Sequence, residues 1–260
     1  MKIWKLIVIC GTIGIMCLSG CTTSDVITAA EVKTNMLGAS SEVTSYQFSM
    51  EMTMSFPNMG DDSGEELSTA MSGLGSIDIT NQKMYLEQSA DMQGTSITTS
   101  IYFVEEVMYS NTPTTGWMKQ NITTTLWNTY DQMEMQVSLI ESSEVKKLDD
   151  AKVNGVDCYV LELTPDLEQY YNMIMQQQGQ DLSQLPEGTD FSELMSDWLI
   201  KQWIAKDTNY MMKSYYTMTM NFFGEITYDM TVEYTNYNEP VTIELPEEAE
   251  SAQWAQDYGF

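Results

Sequence analysis

Two stretches of the chain alternate apolar and polar residues with a period of two. In residues 46–56, Tyr46, Phe48, Met50, Met52, Met54 and Phe56 fall on one side, and Gln47, Ser49, Glu51, Thr53 and Ser55 on the other. That is the pattern of a half-buried antiparallel strand. Near the other end, Ile226, Tyr228, Met230, Val232 and Tyr234 alternate just as regularly with Thr227, Asp229, Thr231 and Glu233. Between these two walls the spacing predicts a meander of short strands over residues 67–80, 83–90, 97–103, 107–110 and 116–120. Gly73, Gly75, Asn81-Gln82 and the polar runs 91–94 and 111–115 punctuate it.

The period then changes. Leu126, Tyr130, Met133, Val137 and Ile140 follow one another at intervals of 4, 3, 4 and 3, which places them on one stripe of an amphipathic helix starting near Thr124. Strands are expected again at 145–153 and 156–164, joined by Asn154-Gly155, the strongest short hairpin signal. Pro165 after Thr164 opens a helix reaching about residue 178, and Asp190 with Glu193 caps a short helical turn around Phe191, Leu194 and Met195. The last third reads as a strand at 198–205, a turn at 206–209, and a long strand at 210–222. That strand directs Met212, Tyr216, Met218, Met220 and Phe222 to one side, and Gly224 turns the chain into 226–234. A short strand at 240–246 and an acidic tail at 247–260 close the chain.

Ahead of the first wall, Thr28 and Glu31 have capping-box spacing for a helix over 28–40. Ile27, Ala30, Met36 and Leu37 supply a partial apolar stripe, and Gly38 with Ser40-Ser41 ends it. About ten or eleven strands, mostly antiparallel, with three or four helices make the fold class α+β. Strands apolar on one side need a cover, and helices are the elements left to provide it. A large curved antiparallel sheet wrapped around a few helices is the simplest arrangement.

The first residues set the compartment. Lys2 and Lys5 precede an apolar run at 6–18, too short to span a bilayer, and Leu18-Ser19-Gly20-Cys21 follows. This is the layout of a lipoprotein signal peptide, with Cys21 as the lipid-bearing residue. The domain organisation expected is a leader at 1–20, a lipidated tether at 21–27, one domain at 28–246 and the tail at 247–260. Such a chain sits on the extracytoplasmic side of a cell membrane, held by its lipid. Cys10, Cys17 and Cys21 belong to this segment, so the mature body keeps Cys158 alone and forms no internal disulfide. Between Val156 and Val160, Cys158 reads as a small core residue.

Charge narrows the function classes. Eleven lysines face 38 acidic residues, net −27; without Lys2 and Lys5 the balance is 9 − 38 = −29. There is no arginine and no histidine. Nucleic acid as a partner is excluded, as are histidine-based triads, histidine metal sites and arginine phosphate clamps. The acidic loop at 57–66 lacks the alternating ligands of an EF-hand, and Asp149-Asp150 and Glu247-Glu248 read as solvated surface. No metal, no cofactor and no catalytic pair are expected, so the chain reads as a non-enzyme. Asn121-Ile122-Thr123 has the form of a glycosylation acceptor at Asn121.

Four local signatures resemble the superfamily of LolA, LolB and LppX/LprG-type proteins. They are the run Ser41-Glu42-Val43-Thr44-Ser45-Tyr46-Gln47-Phe48, leading from the helix into the first strand; the hairpin Val153-Asn154-Gly155-Val156-Asp157-Cys158-Tyr159-Val160-Leu161-Glu162-Leu163; the strand and turn Gln202-Trp203-Ile204-Ala205-Lys206-Asp207-Thr208-Asn209-Tyr210; and the terminal Glu233-Tyr234-Thr235-Asn236-Tyr237-Asn238-Glu239-Pro240-Val241-Thr242-Ile243-Glu244-Leu245-Pro246. The resemblance implies an unclosed half β-barrel with a helical lid and an apolar cavity for acyl chains. An arginine that latches lid to sheet in the soluble carrier has no counterpart here.

The 22 methionines suit such a cavity, because flexible thioethers line adaptable apolar surfaces. Phe48, Met50, Met52, Met54, Met218, Met220, Tyr228 and Met230 are the candidate lining residues. Two readings stand at this point. In one, a membrane-anchored lipoprotein binds lipid or another amphiphile, carrier- or chaperone-like and non-catalytic. In the other, the same methionines fill a closed core, and the surface or the aromatic tail engages an envelope protein partner.

Overall fold

The computed structural model describes residues 27–57, 66–92, 95–122, 127, 132–167, 195–221 and 225–255. Helix α1 (Ala29–Ser40) starts at the expected capping box: the Thr28 hydroxyl accepts from the Glu31 backbone N–H, and the Glu31 carboxylate accepts from the Thr28 N–H. Helix α2 (Gln132–Ser142) buries Met133, Leu139 and Ile140. Of the predicted helix starting near Thr124, Leu126 and Tyr130 lie outside the described residues, as does nearly all of the helix after Pro165.

The strands are β1 (Ser45–Pro57), β2 (Glu66–Asp78), β3 (Lys83–Met92), β4 (Thr95–Val104), β5 (Val107–Thr112), β6 (Gly116–Asn121), β7 (Glu144–Lys147), β8 (Ala151–Val153), β9 (Val156–Thr164), β10 (Met195–Ala205), β11 (Met211–Asn221), β12 (Glu225–Thr235) and β13 (Gln253–Trp254). All belong to one sheet in the order β13-β6-β5-β4-β3-β2-β1-β12-β11-β10-β9-β7, with β8 also on β9. Every pairing is antiparallel except the parallel pair of β13 with β6. The two regular walls of the sequence, β1 and β12, are the central neighbours.

The sheet curves without closing. Residues from β3 and β4 (Leu86, Ile101, Phe103) share one buried cluster with residues from β9 and β10 (Leu161, Leu163, Ile200) and with α1 and α2. Its outer strands, β6 with β13 on one side and β7 with β8 on the other, do not meet. This is an unclosed half-barrel around helices. Helix α2 is tied at both ends. The Met133 backbone N–H donates to the Tyr46 hydroxyl (3.0 Å), and the Lys33 ammonium of α1 donates to the carbonyls of Glu141 (2.9 Å) and Ser143 (2.8 Å). A cation at a helix C-terminus satisfies free carbonyls and opposes the negative end of the dipole.

Several expectations are corrected. Gly73 and Gly75 do not break a strand; they lie inside β2. A Cβ at Gly75 would stand 2.5 Å from the Phe48 ring, so the glycine makes room for that ring to cross β2. The expected strand 145–153 is two strands, β7 and β8, both laid against β9. Met195 is not in a helical turn; it opens β10, buried opposite Met220. A register shift between Trp203 and Ile204 turns Met211, rather than Met212, fully inward.

The expected strand at 240–246 does not form. Both edges of β1 and β12 are already paired, and Pro240 and Pro246 lack the donor a ladder needs. The chain instead passes through a 3-10 turn (Glu247–Ser251), buries Ala249 and Ala252, and pairs Gln253–Trp254 with β6.

Candidate functional site on the concave face

Antiparallel partners share a face of the sheet, so the registers place the candidate residues directly. Phe48 lies opposite Tyr234, Met50 opposite Val232, Met52 opposite Met230 and Met54 opposite Tyr228. Across the next ladder Met230 faces Tyr216, Tyr228 faces Met218, and Ile226 faces Met220. All eight lining residues named from the sequence therefore stand on the side that the helices cover.

That side changes along the strands. At the end where β1 begins, Tyr46 and Tyr234 are fully buried and Phe48 nearly so, under α1 and α2. Tyr46 packs on Phe48, Tyr234 and Tyr237 at ring distances of 6.0–6.2 Å. Burial pushes the Tyr234 hydroxyl well above the usual tyrosine range, so it stays neutral. Towards the other end, Met50, Met52, Met54, Met218, Met220, Tyr228 and Met230 are half-buried.

One row across the sheet shows the gradient. From β9 to β4 it reads Leu163, Ile200, Tyr216, Met230, Met52, Met71, Ala90 and Ile97. Leu163, Ile200 and Tyr216 are 2%, 0% and 7% exposed, the next four are half-buried, and Ile97 is 38% exposed. A continuous apolar track thus runs out of the packed core to the surface without crossing a charged side chain.

Below α2 the track carries one neutral polar contact. The Gln202 amide of β10 donates to the Gln136 carbonyl oxygen of α2 (3.3 Å), and both residues are buried. Beside them the buried Ser214 hydroxyl donates to the Met211 sulfur. Neutral amides couple this helix to the sheet, in a chain that has no arginine to do so. Sequence reasoning missed the pair because Gln136 and Gln202 are 66 residues apart and each carries no local signal.

The remaining motifs are structural. Asn236 and Asn238 adopt left-handed backbone (φ 54° and 58°). The Asn238 side chain accepts from the Thr44 N–H and donates to the Tyr210 hydroxyl, while its N–H donates to the Ser45 carbonyl. Tyr237 stacks on Tyr210 at 4.6 Å. The terminal signature thereby clasps the end of β12 to the start of β1. Asn154 and Gly155, both with positive φ, make the β8–β9 turn as expected. Cys158 is fully buried opposite Ala151 and Ala205, and burial raises its thiol pKa.

Outside the track, an open cleft of about 930 Å³ lies where α1 begins, lined by Ile27, Thr28, Lys147, Asp149, Lys201 and Trp203 among others. On the outer face, Tyr85, Tyr102 and Trp117 form a ring ladder. The Tyr85 hydroxyl donates to Glu87 and is pushed up to about 12, first by burial and then by that carboxylate. Among the described residues no group of three or more cysteine or acidic side chains converges to hold a metal ion. No helix among them is long and apolar enough to cross a membrane. Asn121 is exposed at the end of β6; Cys21 and most of the 57–66 loop lie outside the described residues.

The structure is similar to solved members of the group that the four signatures resemble. Lipoprotein LppX of Mycobacterium tuberculosis shares 10% identity, with 82% of this chain and 96% of that chain covered and a TM-score of 0.46. A LolA superfamily protein of Nitrosomonas europaea shares 11% (86% and 97% covered, TM-score 0.27). A putative outer membrane lipoprotein-sorting protein domain of Vibrio parahaemolyticus shares 12% (85% and 96%, TM-score 0.29). No curated protein sequence matches the chain. The model of a family of unknown function, DUF6612, matches residues 28–253, and the chain belongs to that family.

Proposed function

We propose that this protein is a lipid-anchored extracytoplasmic lipoprotein that holds an acyl chain of a lipid or another amphiphile on the methionine-lined part of its concave face, without catalysing a reaction. The observation that carries this reading is the uncharged track from Leu163 to Ile97, fully packed at one end and half-open at the other. A core that served only to pack the two described helices has no reason to continue as six half-buried methionines and Tyr228. Unbranched thioethers adapt to chains of varied length at low cost. The leader and Cys21 supply the membrane attachment.

Native mass spectrometry of protein purified from its own host tests the proposal. A co-purifying amphiphile is expected, and Met52→Trp, which fills the middle of the track, is expected to lower its occupancy about tenfold or more, corresponding to at least ~1.4 kcal/mol. A chain that emerges free of lipid, or a Met52→Trp protein that retains it in full, overturns the assignment. In the first case the filled-core reading, with an envelope protein as partner, takes its place.

A further inference from the structure

The lysines of this acidic protein are not spread evenly. Residues 144–164 and 195–213, which include β7 to β10 and the start of β11, hold six lysines (Lys146, Lys147, Lys152, Lys201, Lys206 and Lys213) against seven acids, net −1. The rest of the mature chain holds three lysines against 31 acids, net −28. Strand pairing gathers the six into one corner. Lys146 and Lys201 flank Glu162 on neighbouring strands, Lys213 lies opposite Trp203 on β10, and Lys147 and Lys206 both reach Asp150. Lys147 and Lys206 also lie over the Tyr159 ring, and Lys213 over that of Trp203.

The start of α1 lies in the same corner. Ile27, Thr28 and Ala29 line one cleft together with Lys147, Lys201 and Trp203. Ile27 lies six residue steps after Cys21, a reach of at most about 20 Å.

We propose that this corner is the surface the protein turns towards the anionic headgroups of the membrane that holds it. The inference rests on the lipid-anchor reading of Cys21. Five of the six lysines are paired with surface carboxylates, so the corner is no trap for free anions. It is the side of least repulsion. The potential of an anionic leaflet decays within about 8–10 Å, so rotation about the tether decides which charges feel it, and this corner comes close with its seven acids nearly balanced by six lysines, whereas the rest of the chain brings a large excess of acids. Exposed lysines can also exchange a carboxylate partner for a phosphate, since surface pairs are weak. The same orientation sets the track. Lys213 lies near the start of β11 and Met220 near its end, seven residues or about 23 Å apart. The half-open methionines therefore face away from the anchoring leaflet, and an amphiphile enters from the opposite side.

The test uses the mature protein from its host in vesicles of phosphatidylcholine alone and of phosphatidylcholine with phosphatidylglycerol in equal parts. A membrane-impermeant amine-acylating reagent is applied, and modification of each lysine is read by peptide mass spectrometry. On the anionic vesicles the six corner lysines are expected to react about threefold or more slowly than on neutral ones, and Lys83 and Lys119 at an unchanged rate. Equal rates on both vesicles, or selective protection of Lys83 and Lys119, overturn the proposal. The mass of the N-terminal peptide reports separately whether Cys21 carries lipid. If it does not, the anchoring reading falls, and orientation is measured with the free Cys21 thiol coupled to maleimide-bearing lipid, under the same two criteria.

Discussion

Strand β1 holds two regions built from one pattern. Its first residues, Tyr46 and Phe48, are buried beneath α1 and α2, whereas Met52 and Met54, with the same alternation and the same two neighbouring strands, are half-buried. Alternation therefore reports which face of a strand is apolar and says nothing of what covers it. The chemistry of the residues does differ. On β1, Tyr46 and Phe48 occupy the packed end, where fixed shapes interlock and Gly75 is left bare to admit one of them; Met52 and Met54 occupy the half-buried stretch, where thioethers can meet a changing neighbour.

This contrast is broken most directly by truncation. Phe48→Ala removes a ring that contacts Tyr46 and lies across β2, and a loss of about 3–5 kcal/mol in denaturant unfolding is expected. Met54→Ala removes a side chain that water already reaches, and a loss below about 1.5 kcal/mol is expected. Equal losses at the two positions would mean that both ends are packed alike, and would remove the physical basis for a ligand track.

Gly75→Ala sharpens the same comparison from the opposite strand. The added Cβ meets Phe48 at 2.5 Å and the Tyr85 carbonyl at 2.9 Å, whereas at Gly73 the nearest atoms, the Glu87 carbonyl and the Met50 methyl, are 3.2 Å away. Overpacking of about 1–3 kcal/mol is expected at Gly75, with a smaller loss at Gly73, where the methyl end of Met50 can shift. Combining Gly75→Ala with Phe48→Leu should recover part of the loss, because the two side chains compete for one space. Additive losses in thermal or denaturant unfolding would show that the glycine serves another purpose.

How much of this was legible in the residues depended on whether the signal was local. The capping box at Thr28 and Glu31, the Asn154-Gly155 turn and the alternation of β1 and β12 each act over a few residues, and each formed as read. The eight candidate lining residues fell on one face because a strand's period is local too. What went unread is set by partners far away in the chain. Gly75 looks like a break until Phe48 is placed 27 residues before it, and 240–246 looks like a strand until both central edges are seen to be taken. Lys33 gives no sign in the sequence that it closes the end of a helix more than 100 residues later. The lysine-bearing corner was hidden by the net charge, which averages it with the acidic remainder.

The smallest effect separates packing from charge at the packed end. There Lys147 and Lys206 both hold the Asp150 carboxylate, tying the β7–β8 connection to the β10–β11 turn. These hydrogen bonds, first from Lys147 and then from Lys206, lower the Asp150 pKa below its ordinary value. A carboxyl whose pKa is depressed in the folded state stabilises the fold above its unfolded pKa, near 3.9, and that contribution is lost as pH falls through the folded value. Asp150 is 40% exposed, so solvent screening reduces the clip to below about 1 kcal/mol. Asp150→Asn should therefore cost that small amount at pH 7 in urea unfolding, and the difference from the unsubstituted protein should shrink below pH 4 and vanish once both states are protonated. A gap of several kcal/mol at neutral pH, or one that persists in acid, would mean that electrostatics rather than the rings of Tyr46, Phe48 and Tyr234 hold this end together.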